Sequence, residues 1–305
     1  MTPFVWKGRH DGPGPEHRRL WHTVSEPGGP ADAAIVGFES DEGVRRNRGR
    51  VGAVEGPAAL RTALASLAVH DDLTLVDHGD VTVEDDDLED AQRRLGEAVA
   101  RARRDAPLTV VLGGGHESAY GSYLGLGHPP RLGVINLDAH LDLREADRPT
   151  SGTPFLQIAR DRRERGLDVR YAAIGVSTAS NTTALFDTAR DIGAQWVLDD
   201  DCQDAGAPLE LVSRFIADVD EVYLSIDLDV LPASAAPGVS APAALGVPPV
   251  VIQAICDAVV DSGRLVHLDV TELCPRLDAD ARTARVAARL IHRVITRETA
   301  RRRGA

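Results

Sequence analysis

Short runs of β-branched and apolar residues alternate along the chain with longer stretches in which apolar positions recur every three or four residues. That alternation predicts a parallel sheet with helices packed on its faces. The short runs predict strands over 33–38, 73–76, 108–112, 132–137, 169–175, 195–198, 222–226 and 265–268. The periodic stretches predict helices over 57–69, 87–104, 209–217, 249–261 and 280–299. The first and fourth of these begin near a proline, which suits a first helical turn because the N–H it lacks has no partner there. The expected fold is α/β, a three-layer α/β/α arrangement around a mostly parallel eight-stranded sheet. It forms one domain over 1–305, with an irregular Gly/Pro-rich segment over 1–30. Residues 231–249, LPASAAPGVSAPAALGVPP, follow a strand but are too rich in Pro, Ala, Ser and Gly for regular structure. Inside a domain, such a stretch reads as a functional loop and not as a linker.

Composition narrows the classes. A chain of 305 residues, 43% hydrophobic, can surround one core. Cys202, Cys256 and Cys274 stand far apart with no CxxC spacing, which argues against a disulfide framework or a structural zinc and fits a reducing, cytoplasmic compartment. The opening MTPFVWKGRHDGPGPEH has no apolar run of signal-peptide length, and no segment approaches the roughly 20 apolar residues of a membrane span. A formal charge of −13, with basic residues scattered along the helices, argues against nucleic acid as a partner. The run Arg301, Arg302, Arg303 is the exception and reads as a frayed, solvated end of the last helix, where cations suit the helix dipole.

Three predicted strands run into clusters of acids and histidines. VVLGGGHE brings His116, INLDAHLD brings Asp138, His140 and Asp142, and LSIDLDVLP brings Asp227 and Asp229. All lie at C-terminal strand ends, the edge where open α/β sheets bind ligands. Within the second and third clusters the spacing is two, which in extended backbone points side chains to one side. Alone, each segment could be a polar strand end or a turn; together, at the same edge of three strands, they form a constellation. Four carboxylates in one place repel one another and would take up protons unless cations sit among them. Two divalent ions neutralise four aspartates, and a thiolate-free set of carboxylates with imidazole suits Mn²⁺, with Co²⁺, Fe²⁺, Ni²⁺ or Zn²⁺ as substitutes. Two such ions about 3.5 Å apart can share a water and lower its pKa toward neutrality, the chemistry of a hydrolase.

GGGHE, NLDAHLD, SIDLDVLPASAAPGVSAP and HLDVTELCP, in this order, resemble the signature segments of the arginase/agmatinase/formimidoylglutamase (ureohydrolase) family, and RVGAVEGPAALR resembles its early glycine-proline segment. The likeness runs from about Val51 to the last helix. It implies an arginase-like fold, two Mn²⁺ per subunit, a small-molecule substrate and a trimer or hexamer. It assigns His116, Asp138, Asp142 and Asp227 to one ion and Asp138, His140, Asp227 and Asp229 to the other. Gly115 and Glu117 stand where arginases and agmatinases carry aspartate and serine, and Ser151 of SGTPF stands where they carry a proton-transferring histidine. With the loop PASAAPGVSAPAALG, these details resemble the formimidoylglutamase branch, which hydrolyses N-formimidoyl-L-glutamate to L-glutamate and formamide in histidine degradation.

The resemblance further makes Glu272 the partner of the substrate's cationic nitrogens. Asp142 would accept or relay the proton, and a water, Ser151 or Asp142 would protonate the leaving amine. The two substrate carboxylates call for arginine. Arg144, two residues beyond Asp142, is the first candidate, against the plainer reading of a surface arginine balancing Glu145 or Asp147. Asn47 and Arg50 of RRNRGR come next. Two rivals stand beside this reading. One is a ureohydrolase acting on agmatine, guanidinobutyrate or arginine, which Ser151 and Arg144 oppose; the other is a non-catalytic metal-binding homologue, which retention of all six ligands opposes.

Overall fold

The computed structural model describes residues 4–304. Its centre is one wholly parallel sheet of nine strands: β1 (Val24–Ser25), β2 (Ala33–Glu39), β3 (Leu75–Thr82), β4 (Leu108–Leu112), β5 (Leu132–Leu137), β6 (Tyr171–Val176), β7 (Gln195–Leu198), β8 (Glu221–Asp227) and β9 (Leu265–Thr271), in the order β1-β3-β2-β4-β9-β8-β5-β6-β7. β4, β5 and β6 are buried along their whole length, as expected for parallel strands covered on both faces. The helices are α1 (Glu42–Arg46), α2 (Gly56–Ala65), α3 (Leu88–Asp105), α4 (Ser118–Gly125), α5 (Pro154–Glu164), α6 (Thr183–Asp191), α7 (Gly206–Ala217), α8 (Pro249–Asp261) and α9 (Arg282–Gly304). α2, α7, α8 and α9 enclose one apolar core against the sheet, and α3 to α6 enclose the opposite face, giving three layers. Among the described residues no helix is long and apolar enough to cross a membrane.

All eight expected strands are present. The ninth, β1, is a two-residue edge strand paired with β3, too short to leave a periodic trace, and it lies in the stretch expected to be irregular. β3 runs on through the polar LVDHGDVT because Arg61, fully buried on α2, neutralises it: its Nε lies 2.8 Å from Asp77 and its Nη1 2.5 Å from Asp80. Four helices are additional to the five expected. α4 reads SAYGSYLG, poor helix-forming sequence, yet a Cβ at Gly125 would come within 2.7 Å of the Gly96 carbonyl on α3. Close helix packing there outweighs intrinsic propensity.

The triple arginine at the C-terminus stays partly exposed, as expected, but it is not frayed. α9 continues to Gly304, where Arg301 and Arg302 pair with buried Glu298 at 2.8 and 2.6 Å, and Arg303 pairs with Asp32 at 2.9 Å. The three cysteines are buried and free. Residues 231–248 contain no strand or α-helix, as their composition predicts.

His267 lies fully buried in β9, its Nδ1 2.5 Å from Oγ1 of Thr109 on β4. Burial first, and then the Arg103 charge, push its pKa down to about 3. In the unfolded chain it titrates near pH 6.5, so as pH falls from about 6.5 toward 3 the unfolded state takes up a proton that the folded state does not. This one group therefore removes up to about 1.4 kcal/mol of stability per pH unit of acidification in that window. His267→Asn should lose less melting temperature than wild type between pH 7 and pH 5; parallel losses would show that His267 does not titrate on unfolding.

Candidate metal centre

The four central strands β4, β9, β8 and β5 are neighbours, and each delivers site residues at its C-terminal end. After β4 the GGG run threads between strand ends. Gly114 N donates to Phe38 O at 2.8 Å, Gly115 N to Ser40 O at 2.9 Å, and Glu272 N to Gly114 O at 2.8 Å. A Cβ at Gly114 would overlap the Ser40 carbonyl, so only glycine fits this passage. The thread ends at His116, whose N–H donates to Glu272 Oε1 at 2.8 Å.

Around His116 the acids converge. Its Nδ1 lies 3.3 Å from Asp138, 3.0 Å from Asp142 and 3.1 Å from Asp227, yet makes no hydrogen bond among the described residues. His140 Nδ1 lies 3.0 Å from Asp229 and 3.4 Å from Asp138. His116, Asp138, Asp142 and Asp227 thus form one potential cation site, and Asp138, His140 and Asp229 a second, with Asp138 common to both. Asp227, also expected in the second set, is absent from it: its Oδ1 accepts from Asp229 N at 2.8 Å.

Convergence does not come from strand alternation as expected. β5 ends at Leu137, so residues 138–142 form a turn, and Asp229 sits in the 3₁₀ turn Leu228–Val230. Asn181 clamps the first turn, accepting from Leu141 N at 3.0 Å and donating to Ala139 O at 2.9 Å, while Tyr171 donates to Leu141 O at 2.9 Å. Asp142 (φ +48°) and Glu272 (φ +67°) both hold left-handed backbone, a strained conformation for side-chain-bearing residues that concentrates at functional sites.

The protein's own field is strongly acidic here. Burial, then Asp229 and Asp138, raise Asp227 well above the usual carboxylate range, and Asp229 is pushed up to about 6, by burial first. Burial opposes a charge on His116, but Asp138, Asp142 and Asp227 together hold its pKa well above the ordinary value. A buried carboxylate cluster of this kind is balanced by protons or by cations.

Comparison with known proteins agrees. A model of the Arginase family matches residues 31–296. The chain belongs to the arginase family. A formimidoylglutamase of Rhodococcus jostii is 52% identical, with 97% of this chain and 96% of the relative covered. One from Nocardia farcinica is 53% identical, with 96% of each covered. The crystal structure of Trypanosoma cruzi formiminoglutamase with Mn²⁺₂ superposes with a TM-score of 0.81 at 29% identity, covering 89% of this chain and 94% of that one.

The arginase-family donors fit a pair of hard divalent cations: the orphaned Nδ1 of His116 and three carboxylate oxygens point at one place, and no sulfur donor is present. Beneath them, sequence reasoning missed a row of supporting polar residues on β5, β8 and β9. Asn136, Ser225 and Asp269 are register neighbours; Asn136 and Ser225 each lie two positions before a ligand, on the same strand face. Asn136 donates to Asp138 at 2.9 Å, Ser225 Oγ lies 2.9 Å from His116 Nε2, and Asp269 accepts from Tyr223. Buried serine and aspartate inside strands were the available signal.

Above the acids opens a cavity of about 300 Å³. Asn47, Arg50, Arg144, Ser151 and Glu272 all line it, and so does Arg48, which the sequence reading passed over although it stands in the same RRNRGR segment. Arg48 is itself left-handed (φ +61°). Arg144 is exposed and makes no ion pair among the described residues, since Glu145 pairs with Arg160 instead. Arg50 is partly committed, donating to Ser240 O at 2.8 Å and Val239 O at 2.9 Å.

Saturation with a divalent cation at a hundred times its Kd should stabilise the fold by about 2.7 kcal/mol, and Asp227→Ala should abolish the rise. Ser225→Ala should leave the fold intact but weaken cation binding roughly 10–100-fold in calorimetric titration, because His116 Nε2 loses the hydroxyl that orients its ring. An unchanged Kd would remove the polar row from any role in ligation.

Proposed function

We propose that this chain hydrolyses N-formimidoyl-L-glutamate to L-glutamate and formamide, with two manganese ions bound by His116, Asp138, His140, Asp142, Asp227 and Asp229. The observation that carries this reading is the division of charge within one cavity, with aspartates, Glu272 and histidines on its floor and Arg48, Arg50 and Arg144 among its other lining residues. The substrate has the matching polarity: a cationic amidinium at one end and two carboxylates at the other. Relatives carrying the formimidoylglutamase name at half identity support the same choice. Agmatine, cationic at both ends, would meet like charge at the arginines.

Bound manganese would supply a water of lowered pKa and polarise the reacting group. The chain's residues do the rest. Burial, then Glu117, push the Glu272 pKa up to about 8, so ion pairing with the amidinium restores its charge at the point where that charge is used. The attacking water loses a proton, for which Asp142 is the acceptor. The bond from the formimidoyl carbon to the glutamate nitrogen breaks, and Asp142, Ser151 or a water returns a proton to the leaving amine. Arg144, whose planar fork is unpaired among the described residues, takes a substrate carboxylate. The same reading places the protein in the cytoplasm as a trimer or hexamer, the latter to be read by light scattering.

Manganese-loaded protein should release formamide and glutamate from N-formimidoyl-L-glutamate, and Asp227→Ala should not. Arg144→Ala should raise KM by about 10–100-fold with a smaller change in kcat, the loss expected for a charge-assisted hydrogen bond. Urea release from arginine, agmatine or guanidinobutyrate, with silence on the formimidoyl substrate, would keep the metal centre and overturn the specificity.

A further inference from the structure

Residues 40–52 cross the mouth of the cavity as a strap. β2 ends at Glu39, α1 follows, and the turn after it presents Asn47, Arg48 and Arg50 to the pocket. The far side of the strap is tied to neighbouring loops. Arg46 Nη1 donates to Pro149 O at 3.1 Å, Asn47 Nδ2 to Ser151 Oγ at 3.2 Å, and Arg50 to the Val239 and Ser240 carbonyls. Those ties are exposed or half-buried, so water competes for each of them.

The root of the strap is different. Glu117 is wholly buried, and its Oε1 accepts from Ser40 Oγ at 2.7 Å and from Gly43 N at 3.0 Å. Its Oε2 has no hydrogen-bond partner among the described residues and is packed against two glycines. A Cβ at Gly43 would lie 2.5 Å from Oε2, and one at Gly115 would overlap it. The carboxyl therefore occupies the volume those two side chains would need. Glu117 also follows His116 directly in the chain, so one peptide unit joins a proposed metal ligand to the anchor of the strap.

We infer that Glu117 is the positioning residue of this strap, holding Asn47, Arg48 and Arg50 at a set height above the metal centre, with Gly43 and Gly115 providing its seat. The inference rests on the proposed function only for the identity of the substrate. Glu117 touches neither substrate nor the reacting atoms; it acts on the strap through the α1 backbone, besides its electrostatic effect on Glu272. Because Oε1 makes both bonds and Oε2 makes none, an amide of the same shape keeps the arrangement, its oxygen accepting from Ser40 and Gly43.

The test is a double-mutant cycle with two readouts. Glu117→Ser should raise KM for N-formimidoyl-L-glutamate by about tenfold or more, while kcat and Mn²⁺ affinity change by less than roughly threefold. Trypsin should cleave Glu117→Ser faster than wild type after Arg45, Arg46, Arg48 or Arg50. Glu117→Gln should restore both readouts toward wild type. Gly43→Ala alone should raise KM by displacing α1, and should add less in the Glu117→Ser background, where the carboxyl 2.5 Å from the new methyl is gone and only the Cβ of residue 117, at 2.7 Å, still crowds it. Unchanged KM and unchanged proteolysis in Glu117→Ser would overturn the inference. So would equal losses of kcat and Mn²⁺ affinity, which would place Glu117 in the metal site, or effects of Gly43→Ala that simply add. If wild type ignores the formimidoyl substrate altogether, the functional proposal fails and the proteolysis arm still decides the role of Glu117.

Discussion

Mutual repulsion among Asp138, Asp142, Asp227 and Asp229, all buried and crowded around two histidines, is the constraint to which the rest of the site answers. Such a cluster persists only where its geometry is over-determined and its charge balanced. Backbone donors supply part of the balance. His140 N donates to Asp138 and Asp229 N to Asp227, at 2.6 and 2.8 Å. Strain supplies part of the geometry, since left-handed backbone at Asp142 and Glu272 costs about 1–3 kcal/mol each and is tolerated because the surrounding turns leave no alternative. Divalent cations bound as proposed would complete the balance, and binding them and stabilising the fold would then be one event thermodynamically.

The constraint propagates downward into the sheet. Asn136, Ser225 and Asp269 break the apolar pattern of three adjacent strands, and each is bonded to another polar group. Buried polar groups left unpaired would each cost about 1–3 kcal/mol, so each of the three is tied to a neighbouring polar side chain: Asn136 to Asp138, Ser225 to His116 and Asp269 to Tyr223. It fixes the carboxylate of Asp138 and the imidazole of His116 from below, while Asn181 and Tyr171 fix the Asp138–Asp142 turn from the side. Orientation of a metal-binding imidazole by its second nitrogen is the step that converts residue identity into coordination geometry.

Much of this was readable in the sequence, for reasons that differ by element. The central strands announced themselves because burial on both faces demands near-continuous apolar runs. The six proposed ligands stood out because acids and histidines at strand ends are costly without a use. The structure gathers these residues by another route, however: alternation in extended backbone was assumed, whereas turns after β5 and β8 bring them together. β1 and α4 escaped because their existence depends on a neighbour, β3 in one case and the glycine-lined contact with α3 in the other. The Arg301–Arg303 run looked solvated because its partners, Glu298 and Asp32, could be placed beside it only once the last helix was longer and docked. Arg48 escaped because nothing in RRNRGR distinguishes one arginine from the next until the backbone fixes which guanidinium lines the cavity.

The charge of the whole molecule sharpens the meaning of that last point. At −13 the protein repels an anionic small molecule at long range. A substrate with two carboxylates can settle there only if cations near the cavity mouth overcome that field at short distance. Screening in physiological salt acts over about 8 Å, so only arginines within the pocket itself qualify. Arginines already paired with acids are spent for this purpose, and most arginines of this chain are so paired. Arg48 and Arg144 line the cavity with no ion pair among the described residues, and they flank the floor from two different loops. The unpaired state of these two side chains, against a background in which pairing is the rule, suits the cavity to the proposed substrate, an anion whose other end is cationic.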